Sequence, residues 1–128
     1  MTSLFAGAKG LFRTLFTSAQ TSTADLQLAK ETVESIISGT PVAVFSKSYC
    51  PYCSEAKRIL SSHGQDARTK ILELDHEQQG SAIQQYLAER AGVSKVTVPQ
   101  IFINGKIVGG CSDLKKLQSQ GQLDALLA

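Results

Sequence analysis

Short apolar runs and helix-like repeats alternate along most of the chain, and this alternation limits the folds that it can adopt. Residues 42–45 form a short apolar run suited to a strand covered on both faces, and residues 71–74 are predicted to form the next strand. Between and after these runs, apolar residues recur every three or four positions, as they do in helices that pack on one side. Strand, helix, strand and helix in succession predict βαβ packing, with helices covering a sheet.

Two further strands are predicted after Pro99. The runs Gln100–Ile103 and Lys106–Val108 are joined by Asn104-Gly105, a dipeptide that favours a tight hairpin turn. Because a hairpin is antiparallel, parallel and antiparallel pairing should coexist in one sheet. The remaining helical patterns are residues 26–37 ending at Gly39 and Pro41, residues 56–60 closing near His63-Gly64, residues 83–91 ending at Gly92, a stretch around Leu114 and Leu117, and residues 123–127.

Composition and charge exclude several classes of protein. A chain of 128 residues with 42% hydrophobic and 19% charged residues has room for one domain and a modest extension. No stretch approaches the roughly 18 consecutive apolar residues of a membrane span, so none is predicted. From residue 25 onward the eleven basic and eleven acidic residues balance, which predicts no general attraction to nucleic acid.

The first 24 residues differ from the rest of the chain. They contain Lys9 and Arg13, many Ser and Thr residues and no acidic residue. If residues 4–19 are helical, their large apolar side chains share one face. These features are typical of a mitochondrial presequence, so we expect residues 1–24 to be a targeting segment and residues 25–128 to be the folded domain. The alternatives are a disordered tail or a surface helix that touches a membrane, and the alternative location is the cytoplasm.

Two of the three cysteines, Cys50 and Cys53, directly follow the strand predicted at residues 42–45. Three cysteines are too few for a secreted disulfide framework, which favours a reducing compartment. A zinc site would need two further ligands, and the remaining Cys and His residues show no paired spacing. A C-x-x-C motif after a buried strand in a βαβ context predicts a redox-active pair, with a structural disulfide or a metal site as alternatives.

The order of the two thiols predicts their roles. Only a thiolate attacks a disulfide, and a free cysteine with a pKa of about 8.5 is mostly protonated at neutral pH. A helix that begins at Cys50 would stabilise a thiolate there, Pro51 would fit its first position, and Lys47 would add a cation. We therefore predict that Cys50 is the nucleophile and that Cys53, one turn deeper, resolves a mixed disulfide formed on Cys50.

Three motifs give the chain a family resemblance. CPYC at residues 50–53, TVPQIFING at residues 97–105 and GGCSDL at residues 109–114 together resemble the dithiol glutaredoxins, over about residues 26–127. The resemblance implies the thioredoxin-like α/β fold of that family, with a four-stranded mixed sheet flanked by helices. It also implies glutathione-dependent reduction of protein–glutathione mixed disulfides by the nucleophilic thiol alone, and of protein disulfides by both thiols.

The resemblance implies a groove for glutathione, the co-substrate. Lys47 and Gln84 would face its glycine carboxylate, and Val98 would pair with its backbone. Ser112 and Asp113 would hold the γ-glutamyl end. The full set of implied binding residues is Lys47, Tyr52, Gln84, Thr97, Val98, Pro99, Ser112 and Asp113. Each polar member has an ordinary alternative as a solvated side chain or a helix cap.

Two details near the groove depart from the family pattern or stay open. Val96 stands where relatives usually carry a basic residue, and the stretch before Thr97 is about two residues longer, so Lys95 is the candidate substitute. Pro99 would be the cis proline of the fold. Cys111 is as compatible with a buried apolar role as with a redox role.

The resemblance implies partners as well. Expected partners are glutathione, glutathionylated or disulfide-containing proteins, and indirectly glutathione reductase, with a monomeric chain and no tightly bound cofactor or metal. The alternative function is a 2Fe–2S scaffold in which two chains each supply Cys50 and two glutathione molecules complete the ligands. Relatives that hold clusters often carry a small residue in place of Pro51, which weighs against that alternative.

Overall fold

Helices and strands alternate along the chain as predicted. The structure is a computed structural model, and it describes residues 21–128. Within that range the helices are α1 (Thr23–Gly39), α2 (Pro51–Ser62), α3 (Gly80–Ala91), α4 (Cys111–Ser119) and α5 (Leu123–Leu127), and the strands are β1 (Val42–Ser46), β2 (Thr69–Glu73), β3 (Gln100–Ile103) and β4 (Lys106–Gly109). Two 3₁₀ turns, Asp66–Arg68 and Leu74–His76, flank β2.

The strands form one mixed sheet in the order β2-β1-β3-β4. Strand β1 pairs in parallel with β2 and antiparallel with β3, and β3 and β4 form an antiparallel pair. The turn between β3 and β4 has positive φ at both Asn104 (51°) and Gly105 (82°), as the favoured hairpin turn requires. The predicted mixed sheet and its hairpin are confirmed.

Two apolar cores sandwich the sheet, because neighbouring residues of a strand point to opposite faces. Val42 and Val44 of β1 lie against α2, α4 and α5. Ala43 and Phe45 lie against α1 and α3 on the opposite face. Strand β1 is therefore covered on both sides, as predicted from its uninterrupted apolar run. Its buried carboxyl end fixes the position of the residues that follow.

Strand β2 lies slightly earlier than the apolar pattern predicts. It spans Thr69–Glu73 rather than residues 71–74, and Leu74 begins a 3₁₀ turn. Leu74 is buried in the same core as Phe45, so its apolar character reflects packing of that turn and not membership of the strand. Apolar character alone does not fix where a strand ends.

Helix α1 begins just before the predicted domain boundary. The Ser22 hydroxyl accepts a hydrogen bond from the backbone N–H of Asp25 (3.1 Å), which caps the helix in the ordinary way. The amphipathic helix predicted at residues 4–19 lies outside the described residues. From residue 21 onward, none of the helices combines the length and the apolar character needed to cross a membrane.

Candidate active site

Cys50 caps the amino end of helix α2. Strand β1 ends at Ser46, and a turn closed by a hydrogen bond from Cys50 N–H to the Lys47 carbonyl (3.1 Å) leads to the helix. Cys50 has extended backbone angles, and Pro51 occupies the first helical position. The first N–H groups of a helix lack partners within the helix, so they are free to stabilise a negative sulfur at this position.

The surroundings of Cys50 favour its thiolate. Burial, the largest single influence, raises the pKa of the Cys50 thiol. The backbone N–H of Cys53, the Cys53 thiol, the backbone N–H of Tyr52 and the charge of Lys57 each lower it, and their sum prevails. The pKa of Cys50 therefore lies below its ordinary value, in the direction that the sequence predicts.

Cys53 has the opposite character. Its side chain is fully buried on the inner side of α2, whereas Cys50 is half-buried. Burial raises the pKa of the Cys53 thiol, and this outweighs the lowering by the Lys47 N–H and the Ser46 hydroxyl. A half-buried thiol with a lowered pKa and a buried thiol with a raised pKa are consistent with the predicted roles of nucleophile and resolving residue.

The leading cation beside the thiols is not the predicted one. Lys57, two turns into α2, makes the leading charge contribution to the lowered pKa of Cys50, after the hydrogen bonds to its sulfur. Its ammonium lies 2.6 Å from Glu73 at the end of β2. Lys47 contributes to the site mainly through its backbone, because its carbonyl closes the turn to Cys50 and its N–H faces Cys53. That the charge of Lys47 also acts on the Cys50 thiol stays a prediction.

An acidic residue fixes the turn that carries Cys50. The Asp75 carboxylate accepts a hydrogen bond from the backbone N–H of Ser48 (2.9 Å) and a second bond from the Ser48 hydroxyl. These bonds tie the Lys47–Cys50 turn to the segment that follows β2. Sequence reasoning missed Asp75, although the carboxyl ends of neighbouring parallel strands lie together and residues there deserve consideration.

A groove of about 780 Å³ opens beside Cys50. This volume suits a small ligand with a peptide-like backbone. Eight of the ten sequence-predicted site residues line it: Lys47, Cys50, Tyr52, Gln84, Thr97, Val98, Pro99 and Ser112. Cys53 lies behind the groove in the interior. The wall includes two strongly exposed rings, Tyr52 (66%) and Tyr49 (71%), of which Tyr49 was not predicted.

The segment before β3 brings its backbone to the thiol. The Val98-Pro99 peptide bond is cis, as predicted, and the Val98 carbonyl lies 3.9 Å from the Cys50 sulfur. Gln84 of α3 supports this segment, because its side-chain amide donates to the Val96 carbonyl (3.0 Å). Gln84 thus lines the groove and also holds the residues that form its edge.

The opposite end of the groove is the amino end of α4. Ser112 faces the groove, but the Asp113 side chain does not line it. Instead the Asp113 carboxylate accepts a hydrogen bond from the backbone N–H of Gly110 (2.9 Å) and caps its own helix. The structure therefore places Asp113 as an acid at the amino end of its own helix, which is the alternative considered from the sequence.

The cations around the groove differ from the sequence expectation. Lys95 lies in a separate shallow depression, so the structure does not bring it into the groove, whereas Val96 lines the groove directly. Lys115, which was not predicted, lines the groove and forms an ion pair with Glu55 (2.8 Å) that links α4 to α2. Its signal in the sequence was its position one turn after Cys111 on the same helix.

Cys111 also lines the groove, but its surroundings differ from those of Cys50 and Cys53. It is buried, and burial together with the charge of Glu55 raises its pKa. It belongs to the apolar core that includes Leu114 and Ile101. In the described part of the chain, no cluster of three or more potential metal ligands is present.

The chemistry of this site follows from its two thiols. A thiol with a lowered pKa at the edge of a groove can attack a disulfide, and a second thiol one turn deeper can complete the exchange. A mixed sheet places both thiols after a buried central strand and beside a cis-proline segment. The fold and site define a thioredoxin-like thiol–disulfide oxidoreductase.

Comparison with known proteins identifies the family. The family model named Glutaredoxin matches residues 42–108. The chain belongs to the glutaredoxin family. It is 46% identical over 100 residues to a glutaredoxin of Ricinus communis, covering 78% of this chain and 94% of that protein. It is 48% identical over 101 residues to glutaredoxin-2 of Schizosaccharomyces pombe, covering 79% and 88%.

A solved structure extends the comparison to the fold. The crystal structure of a buckwheat glutaredoxin–glutathione complex superposes with a TM-score of 0.77 at 36% identity, covering 84% of this chain and 94% of that one. The thioredoxin-like fold predicted from the motifs is confirmed. As a glutaredoxin, the chain is a glutathione-dependent thiol–disulfide oxidoreductase.

Proposed function

We propose that the chain reduces protein–glutathione mixed disulfides through Cys50 alone. The Cys50 thiolate attacks the glutathione sulfur, the protein thiolate leaves and takes up a proton, and a Cys50–glutathione disulfide forms. A second glutathione thiolate then attacks that glutathione sulfur, which releases oxidised glutathione and restores Cys50. The observation that carries this proposal is the lowered pKa of the half-exposed Cys50 thiol at the edge of the groove.

Protein disulfides take the dithiol route. Cys50 attacks one sulfur of the substrate and forms a mixed disulfide with it. Cys53 then loses its proton and attacks Cys50, so that a Cys50–Cys53 disulfide forms and the substrate leaves as a dithiol. The burial of Cys53 supports this order, because the substrate meets Cys50 first.

Glutathione would lie along the groove with its cysteine sulfur at Cys50. Lys47 and Gln84 face one end, where they suit the glycine carboxylate. Val98 offers its backbone to the extended tripeptide, and Tyr52 and Thr97 form the wall beside it. The other carboxylate suits the amino end of α4 at Ser112, near Lys115. Asp113 acts there by holding Gly110 in place.

A coupled assay tests this proposal. Purified protein is supplied with a glutathionylated peptide, glutathione, glutathione reductase and NADPH, and NADPH consumption is followed. Turnover should require both glutathione and the protein. In a second assay without the reductase, release of the free peptide thiol is followed directly. Equal rates of release with glutathione and with an unrelated thiol of similar pKa would contradict the assignment of the groove.

Replacing Lys57 with Gln is expected to raise the pKa of Cys50, because the leading cation near the sulfur is lost. The rate of iodoacetamide alkylation, measured against pH, should shift to higher pH. Lys47→Gln should shift the profile less, and Glu73→Gln, which leaves Lys57 without its partner, should shift it to lower pH. If the pH profiles of all three variants matched that of the wild type, neither lysine would act on the thiol through its charge.

The remaining partners follow from this chemistry. Glutathionylated and disulfide-containing proteins are the substrates, glutathione reductase regenerates glutathione, and the chain acts as a monomer without a tightly bound cofactor. A 2Fe–2S scaffold is the alternative, and only Cys50 of the two motif thiols is accessible to ligate a shared cluster. Pro51 in the first turn of α2 opposes it. Brown colour after anaerobic purification would revive the alternative.

The amino-terminal segment directs the chain to mitochondria in this proposal. The basic, acid-free residues 1–24 support it. Ser22 caps α1, so a processed chain that starts at or before Ser22 keeps the cap. The amino-terminal residue of the protein recovered from cells tests the proposal. A start within residues 19–24 supports import and processing, whereas an intact residue 1 or 2 supports a cytoplasmic protein.

A further inference from the structure

Ser46, the last residue of β1, carries a fully buried hydroxyl beneath the active site. Its side chain has 0% exposure. Because side chains alternate along a strand, Ser46 points to the same face as Val42 and Val44, which pack against α2. Cys53 is buried on the inner side of α2. The strand and the helix therefore bring the hydroxyl of Ser46 and the thiol of Cys53 to one interface.

The hydroxyl of Ser46 has no hydrogen-bond partner among the described residues. A buried polar group without a partner is unfavourable and rare in folded proteins. The backbone N–H of Lys47 and the Ser46 hydroxyl lower the pKa of the Cys53 thiol against the effect of burial, whereas the Cys50 thiol raises it. An available donor thus lies beside a thiol that must become a thiolate during the dithiol route.

The charged groups near Ser46 offer it a second role. Glu73 lies opposite Ser46 in the register of β1 and β2, and one of its carboxylate oxygens is also buried without a partner. The other oxygen binds Lys57 of α2. If the hydroxyl served Glu73, its loss would change the Glu73–Lys57 pair and, through Lys57, the reactivity of Cys50. A role toward Cys53 would act chiefly on the step in which Cys53 attacks.

We propose that Ser46 is a positioning residue for the second step of the dithiol route, in which its hydroxyl donates a hydrogen bond to the Cys53 sulfur as that sulfur loses its proton. The Cys53 thiolate then attacks the Cys50 sulfur, the Cys50–Cys53 bond forms, and the bond from Cys50 to the departing thiolate breaks. This inference rests on the dithiol route proposed above.

A quenched-flow experiment separates the two steps. Reduced protein is mixed with excess oxidised glutathione, exchange is stopped with acid, and mass spectrometry follows the Cys50–glutathione adduct and the Cys50–Cys53 disulfide. Formation of the adduct reports the attack by Cys50. Its decay reports the attack by Cys53. Both rates are measured for the wild type, for Ser46→Ala and for Ser62→Ala, a matched loss of a hydroxyl at the far end of α2.

Ser46→Ala should slow decay of the adduct about three- to tenfold and leave its formation unchanged. A rise of one unit in the pKa of an attacking thiol costs about threefold in rate, because a tenfold loss of thiolate is partly offset by higher nucleophilicity. Ser62→Ala should change neither rate.

Two results for Ser46→Ala would overturn the proposal. An unchanged decay rate would show that the hydroxyl does not assist Cys53. Slower formation together with slower decay would indicate a role toward Glu73 or in packing. A wild type that forms neither the adduct nor the Cys50–Cys53 disulfide would instead overturn the proposed function itself.

Discussion

Replacing Cys50 with Ser is expected to abolish turnover on glutathione mixed disulfides and on protein disulfides alike, by roughly 10³-fold or more in kcat/KM. A serine hydroxyl is not ionised at neutral pH and does not exchange with disulfides. Neither remaining thiol can take over, because Cys53 and Cys111 are buried and burial raises the pKa of both.

The Cys50→Ser variant is measured in the same coupled assay on both classes of substrate. Its thermal unfolding should match that of the wild type, because residue 50 is half-buried and serine is a favoured residue at the amino cap of a helix. Substantial turnover by the folded variant on either substrate would mean that another group acts as the nucleophile.

Replacing Cys53 with Ser is expected to divide the two routes. Reduction of glutathione mixed disulfides should continue at a rate similar to that of the wild type, because Cys50, its helix N–H groups and the groove are retained. Reduction of protein disulfides through the dithiol route should fall by about 10²-fold, since the mixed disulfide on Cys50 loses its internal attacking thiol.

The division is measured as the ratio of kcat/KM for the two substrates. Serine nearly matches cysteine in volume, so the buried site should hold it with little repacking. If Cys53→Ser lost both activities equally, Cys53 would be acting on the reactivity of Cys50 and not as the resolving thiol.

Local patterns predicted most of the fold. The uninterrupted apolar run of β1, the Asn104-Gly105 turn and the terminating Gly92 each specify structure within a few residues, and all three are confirmed. The predicted end of β2 was wrong, because the apolar character of Leu74 does not distinguish a strand from a buried turn.

The candidate site was predictable where motifs carry it and not where tertiary packing does. The positions of Cys50 and Cys53 on α2 follow from C-x-x-C after a buried strand. To predict the role of Lys57, one must know that its charge lies close enough to act on the Cys50 thiol. To predict the role of Asp75, one must know that β1 pairs with β2. The Asp113 carboxylate accepts a hydrogen bond from Gly110 of the preceding loop, and no local sequence pattern specifies the conformation of that loop.

The account depends most on the ionisation of the Cys50 sulfur. A variant with both Cys53 and Cys111 replaced by Ser keeps Cys50 as its single thiol, so the ultraviolet absorbance of its thiolate can be titrated without interference. The account predicts half-ionisation below the pKa of about 8.5 of free cysteine. Half-ionisation at or above that pKa in the folded variant would contradict it.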